Sequence, residues 1–228
     1  GTVVMNCLSG LIMEKLDLTF ADITDVEIGA LAKALPLAST QQLASTSPKK
    51  LDLDGNPFGN DGFHRLIVGM GKMEVPMTHL SVGGCQSITT VPTEINQLTS
   101  LKGLNLSYCT SLISLPEEIG ELTSLEELIL SECTSLISLP TEIGQLTSLK
   151  VLDLRVCASL ISLPEEIGEL KSLKYLYLRE CTSLISLPEK IEEVKSLKFL
   201  FLKRCTSLKG PDAVISALKK NGCKVFHD

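Results

Sequence analysis

A repeat of 24 residues constrains this chain more than any other feature. The segment that starts at Leu101 recurs with the same pattern, LxxLxLxxC, at five further points. The six copies begin at Met77, Leu101, Leu125, Leu149, Leu173 and Leu197. A period of roughly 20 to 50 residues is typical of solenoids, because each small unit buries its apolar side only by stacking on the next. The chain is therefore predicted to be one stack of units.

Within each copy, the spacing of apolar residues predicts a short strand followed by a short helical segment. Leu104 and Leu106 alternate with outward-pointing residues 103, 105 and 107, as a strand buried on one face requires. Pro116 and the two glutamates after it suit the first helical position and the first turn of a helix. We therefore expect parallel strands, each backed by one or two turns of α-helix or 3₁₀ helix.

Two longer units precede the 24-residue series. The first begins near Met13 and the second near Pro48, and each leads into a helix-like run of apolar residues. This wide spacing implies a surface insertion around residues 37–47. A single domain is predicted, with an N-terminal cap and two helix-backed units over 1–76, six repeats over 77–208 and a C-terminal cap over 209–228. The C-terminal cap should contain a helix over 211–220 and a last strand over 223–226.

The pattern LPxxIGxLxSLxxLxLxxCxSL resembles leucine-rich repeats, and it is similar to the repeat region of plant TIR-type nucleotide-binding immune receptors. The first two units resemble ribonuclease-inhibitor repeats instead. The resemblance implies an α/β leucine-rich-repeat horseshoe, a right-handed solenoid with a parallel concave sheet and short helices or 3₁₀ segments on its convex side. The helix-backed N-terminal units should curve more tightly, because packed helices need more room than paired strands. Such repeats specify a fold and say little about a ligand.

Six of the eight cysteines occupy the ninth position of successive repeats. They are Cys85, Cys109, Cys133, Cys157, Cys181 and Cys205. This position turns inward, so small buried thiols that bond weakly to the loop backbone are expected. Neighbouring thiols have parallel Cα–Cβ directions, which opposes a disulfide, and no CxxC pair suggests zinc. Reduced thiols favour a cytoplasmic protein.

Other patterns give no sign of catalysis, a metal or a cofactor. The paired acids Glu117–Glu118 and Glu165–Glu166 recur with the period of the repeat, so we interpret them as solvated helix starts. The histidines His64, His79 and His227 are far apart in the sequence. No signal peptide and no apolar run long enough for a membrane span is visible. A chain without enzymatic activity is predicted.

The outward positions 3, 5, 7 and 8 of the repeat indicate where a partner binds. In the first repeats they hold mostly small and acidic residues, and in the last three they become aromatic and basic. Aromatic residues beside arginines are typical of binding hot spots. The predicted partner-binding residues are Tyr108, Asp153, Arg155, Tyr175, Tyr177, Arg179, Phe199, Phe201, Lys203 and Arg204.

Charge supports this location. Residues 1–148 carry a net charge of −10 and residues 149–228 one of +4, within a total of −6. Such a dipolar field orients an approaching partner. The overall acidity makes nucleic acid an unlikely partner.

The favoured hypothesis is a monomeric protein-recognition module that binds a protein partner on its concave face, within an intracellular receptor, effector or signalling scaffold. Three alternatives stay open, one of which is an enzyme or enzyme regulator that acts through a neighbouring domain outside this sequence. The aromatic residues also favour strands and can stabilise a sheet by stacking across it, without any ligand. A structural or self-assembling scaffold would use the same exposed surface or the ends of the sheet.

Overall fold

Nine short parallel strands form one open sheet in strict chain order. The structure is a computed structural model that describes residues 14–38 and 49–227. The strands are β1 Lys15–Asp17, β2 Lys50–Asp52, β3 His79–Ser81, β4 Gly103–Asn105, β5 Glu127–Ile129, β6 Val151–Asp153, β7 Tyr175–Tyr177, β8 Phe199–Phe201 and β9 Lys224–Phe226. The fold is the predicted α/β solenoid.

The register of the sheet stacks the fourth-position leucines into a column. Leu104 lies beside Leu128, Leu128 beside Leu152, and Leu152 beside Leu176. All four side chains are fully or almost fully buried. Columns of Leu and Ile at the other inward positions complete one continuous core, so each unit is stabilised by the apolar surface that its neighbours cover.

The back of the sheet changes character along the chain, as the unit lengths predict. The first two units carry the α-helices α1 Asp25–Ala38 and α2 Asn60–Gly71. The next five carry five-residue 3₁₀ segments, each preceded by an extended proline at the N-cap. The 3₁₀ segments pack tightly, since a Cβ on Gly144 would lie 2.7 Å from the carbonyl oxygen of Glu166. The stronger curvature expected of the helix-backed units stays a prediction.

Helix α3, Asp212–Lys220, and β9 close the C-terminal end, as expected of a cap. Ile215 and Leu218 are buried and Val214 packs against them. Residues 1–13, 39–48 and 228 lie outside the described part of the chain. Most of the predicted insertion and of the predicted N-terminal cap falls on these residues. No described helix is long and apolar enough to cross a membrane.

The ninth-position column is a ladder of hydrogen bonds. Asn56 accepts the backbone N–H of Ile23 at 2.9 Å and donates to the carbonyl of Leu53 at 2.7 Å. In the following units a thiol takes its place, and Cys181 donates to the carbonyl of Leu154 at 3.0 Å. The five thiols from Cys85 to Cys181 are buried and unpaired, and Cys205 is half-buried. Burial raises the pKa of Cys133 to about 12. The predicted ladder of buried thiols is confirmed from Cys85 to Cys181, and Cys205 departs from it because it is only half-buried.

The eighth position of the repeat differs from what the sequence suggested. The repeat pattern predicts an outward position that is free to vary, but its residues have positive φ and form the turn after each strand. Gly55 and Gly84 suit this conformation. Tyr108, Val156 and Arg204 adopt it with φ of 59° to 65°, at the cost of steric strain that a side chain brings to the left-handed region. Position 8 is therefore constrained by the backbone.

Candidate functional site

Five aromatic rings stack on the outward face of the last three strands. Tyr175 stacks on Phe199 with ring centroids 5.2 Å apart, and Tyr177 stacks on Phe201 at 4.8 Å. Phe226 on β9 extends the second row, 4.7 Å from Phe201. The paired planes are within 8° of parallel. We call these five residues the aromatic cluster.

The cluster occupies the strand positions predicted for a binding surface, and it also stacks as the alternative interpretation requires. The four rings on β7 and β8 are half-buried and Phe226 is exposed. Stacked pairs of this kind are worth about 0.5–1.5 kcal/mol beyond the area that they bury. The cluster thus stabilises the C-terminal end of the sheet while part of each ring stays open to solvent.

Two cations cover ring faces at the border of the cluster. The guanidinium of Arg155 lies 5.6 Å from the centroid of the Tyr177 ring, and the ammonium of Lys224 lies 5.8 Å from that of Phe199. Both distances are within the range of cation–π attraction. Rings or cations thus cover both faces of Tyr177, Phe199 and Phe201, so these three rings present mainly their edges to a partner.

Asp153 is predicted to lie on the binding surface, but the structure does not place it there. Its side chain is buried, and both carboxylate oxygens accept hydrogen bonds from the guanidinium of Arg155, at 2.6–3.0 Å. A buried carboxylate needs such a partner. The pair fixes the guanidinium of Arg155 towards Tyr177, so Asp153 positions a surface residue and is not itself presented to a partner.

Basic residues border the cluster on both sides. The leading rim consists of the position-2 lysines just before the strands, Lys150, Lys174 and Lys198. The trailing rim consists of the position-7 residues just after the strands, Arg155, Arg179 and Lys203. Since the two positions are five residues apart, the rims are separated by about 16 Å of extended chain.

Glu180 organises the trailing rim. Its carboxylate accepts hydrogen bonds from Arg179 at 3.0 Å and from Arg204 in the next unit at 3.2 Å. Tyr108 lies three units nearer the N-terminus than Glu180, exposed in its turn, and shares a shallow depression with Arg155 and Arg179. The structure therefore brings Tyr108 and Arg204 to the rim, and not onto the strands.

Phe226 belongs to the aromatic cluster and Lys224 covers one of its rings, and the sequence interpretation missed both. The signal was available, because a last strand was predicted over 223–226. Its alternation puts Val225 inward, beside Leu200, and Lys224 and Phe226 outward, beside Phe199 and Phe201. The repeat pattern breaks before this strand, so the outward columns of the repeat do not extend to its residues.

The N-terminal half of the outward face of the sheet is chemically different. Asp54 accepts hydrogen bonds from the hydroxyl of Ser81 at 2.5 Å and from the N–H of Gly83 at 2.6 Å. Asn105 donates to the same hydroxyl at 2.7 Å. Desolvation by burial raises the pKa of Asp54. These small and amide side chains satisfy one another, and a pocket beside them is lined by Lys50, His79 and Glu127. Among the described residues, no group of acids, histidines or cysteines is placed to hold a metal.

Comparison with known proteins extends the fold assignment. No protein-family model matches the sequence, and no curated protein does. Among solved structures, the leucine-rich repeat domain of the type III effector XopL matches 99% of this chain and 79% of that one, with a TM-score of 0.59 and 20% identity. An internalin C2 from Listeria monocytogenes matches 92% of this chain and 99% of that one, with a TM-score of 0.50 and 18% identity. At such identities the likeness concerns the fold alone: the chain has the architecture of a leucine-rich-repeat solenoid.

Proposed function

We propose that this chain is a protein-recognition module whose partner binds the aromatic cluster and its two basic rims, as part of a receptor, effector or signalling scaffold in the cytoplasm. The aromatic cluster carries this proposal. It gathers five of the nine aromatic residues of the chain at one end of one face. The row of reduced core thiols supports a reducing compartment.

The physical support is that these residues are already ordered. Ring stacking and the Asp153–Arg155 pair hold the side chains in place before a partner arrives. Binding then costs less side-chain entropy. This entropy loss is a large part of what opposes association. Tyrosine and arginine in such settings are the residues whose truncation typically costs about 2 kcal/mol or more of binding energy.

Selection of binders from a displayed library of random peptides tests the proposal. The double variant Tyr177→Ser/Phe201→Ser removes two adjacent position-5 rings. Its matched control, Asn105→Ser/Ile129→Ser, changes the same repeat position on two adjacent strands of the N-terminal half. Peptides selected on the wild type should lose binding to the first variant by several kcal/mol and keep binding to the second.

Urea unfolding of both variants checks that each stays folded. If the selected peptides bind the Tyr177→Ser/Phe201→Ser variant as well as the wild type, the aromatic cluster is structural and the binding face lies elsewhere. The same conclusion follows if the N-terminal control abolishes binding.

A self-assembling scaffold is a second candidate, and one observation favours it. A column of four isoleucines lies on the side of the solenoid, each 44–48% exposed. They are Ile113, Ile137, Ile161 and Ile185. Backbone hydrogen bonds join neighbours of this column at 3.0–3.2 Å. Contiguous exposed apolar surface marks interaction sites.

Light scattering during size-exclusion chromatography separates the two candidates. A monomer at tens of micromolar, as the sequence predicts, counts against self-assembly. A dimer that the double variant Ile137→Ser/Ile161→Ser converts to a monomer would support the scaffold and place its contact on the isoleucine column.

A further inference from the structure

We infer that the partner of the aromatic cluster is an acidic protein segment that lies across β6 to β9 between the leading and trailing rims. This inference rests on the proposed function and adds the chemistry of the partner. A segment that crosses four strands spaced about 4.8 Å apart spans about 14 Å, which is four to five extended residues.

The charges of this face are the first support. In the units of β6, β7 and β8, position 2 is lysine throughout and position 7 is arginine or lysine throughout. Asp153 and Glu180 are the acids at the outward positions of these units. Arginine binds each of them, Asp153 through Arg155 and Glu180 through Arg179 and Arg204. A surface so basic, in a chain of net charge −6, attracts and orients an acidic partner.

The orientation of the rings is the second support. Because each ring stacks on a neighbour across the strands, its edge turns towards the partner. The edge of an aromatic ring carries the positive end of its quadrupole, and the tyrosine hydroxyls of Tyr175 and Tyr177 are hydrogen-bond donors. Both favour carboxylates in the band between the rims.

The same orientation argues against single-stranded nucleic acid, the other common anionic polymer. Sequence-independent binding of bases needs open ring faces on which they stack. Here a neighbouring ring, Arg155 or Lys224 covers both faces of the three inner rings, Tyr177, Phe199 and Phe201. Only the outer faces of Tyr175 and Phe226 could stack a base, and these two faces lie at opposite ends of the cluster. An acidic peptide needs no such face.

Fluorescence anisotropy with a labelled oligoglutamate of about ten residues tests the inference at low salt, where charge–charge attraction is least screened. The variant Lys198→Glu/Lys203→Glu reverses one residue on each rim. Lys171→Glu/Lys195→Glu is the matched control. It makes the same change of net charge in neighbouring turns, where each lysine bonds only a local backbone carbonyl.

The peptide should bind the wild type, bind the rim variant at least about tenfold more weakly, and bind the control with less than about a twofold change. Equal losses in both variants would mean attraction by net charge and would overturn the inference. Tighter binding of an oligothymidylate of equal charge, lost in the rim variant, would overturn it in favour of nucleic acid.

Lys198 and Lys203 are both exposed. The variant Lys198→Gln/Lys203→Gln should lose affinity for the peptide in the same direction but by less, which shows that misfolding of the charge-reversed variant is not the cause. If oligoglutamate fails to bind while library peptides still bind through Tyr177 and Phe201, the inference fails and the proposed function stands.

Discussion

The left-handed turn at position 8 gives a quantitative prediction at Val156. Its φ of 59° is costly for any side chain and most costly for a β-branched one. Val156→Asn should relieve about 1–2 kcal/mol of this strain, since asparagine tolerates the left-handed region. The change also loses about 1 kcal/mol of apolar burial, because the side chain is half-buried. The net effect on the free energy of unfolding is between about 0 and +1 kcal/mol.

Val151 provides the matched control. It is half-buried like Val156, but it lies in strand β6, where its backbone is unstrained. Val151→Asn loses a similar burial and replaces a good strand former with a poor one, so it should cost about 1–2 kcal/mol. The two variants should therefore differ by about 2 kcal/mol, or roughly 4–8 °C in Tm for a chain of this size.

Urea unfolding followed by circular dichroism measures both values, with unchanged m-values as the check that the folded state is the same. If Val156→Asn destabilises the protein as much as Val151→Asn, position 8 is not strained and the turn geometry given above is wrong.

Three further predictions concern the core and the titratable groups. Leu152→Ala should cost about 2–5 kcal/mol in urea unfolding, because neighbouring leucines hold the cavity open; a cost below about 1 kcal/mol would refute the stacked register. Iodoacetamide at pH 8 should label half-buried Cys205 well before Cys157, whose pKa burial raises; mass spectrometry that finds equal rates would contradict the buried ladder. Because the pKa of Asp54 is raised in the folded state, the contribution of Asp54 to stability should fall as pH rises above about 4. Asp54→Asn should flatten that fall, and an unchanged pH profile would mean that Asp54 is not desolvated.

The fold could be predicted from the sequence because the same pattern of apolar positions occurs six times. Each inward leucine and each ninth-position cysteine has an equivalent residue one period away that supports its assignment. The structure places these residues at the inward positions that the pattern predicts. Two features were not predicted, because the pattern of apolar positions carries no information about them. Phe226 follows a break in the period, and nothing in the pattern of LxxLxLxxC reveals the positive φ at position 8.

The candidate site was predicted less completely, since its outward residues are not fixed by packing. Column reading located Tyr175, Tyr177, Phe199 and Phe201 on one face. It did not reveal that the rings stack across strands, or that Asp153 is buried against Arg155. Side-chain pairing of this kind depends on rotamers and on the spacing of neighbouring strands, which a sequence period leaves undetermined.

The three tyrosines allow the central claim to be measured directly. Selective labelling of tyrosine gives NMR ring signals for Tyr108, Tyr175 and Tyr177 alone, and single Tyr→Phe variants assign them. Titration with a selected binding peptide should shift the signals of Tyr175 and Tyr177 most, and that of Tyr108 on the rim less. If the peptide saturates the protein while the signals of Tyr175 and Tyr177 stay unmoved, the partner does not bind the aromatic cluster.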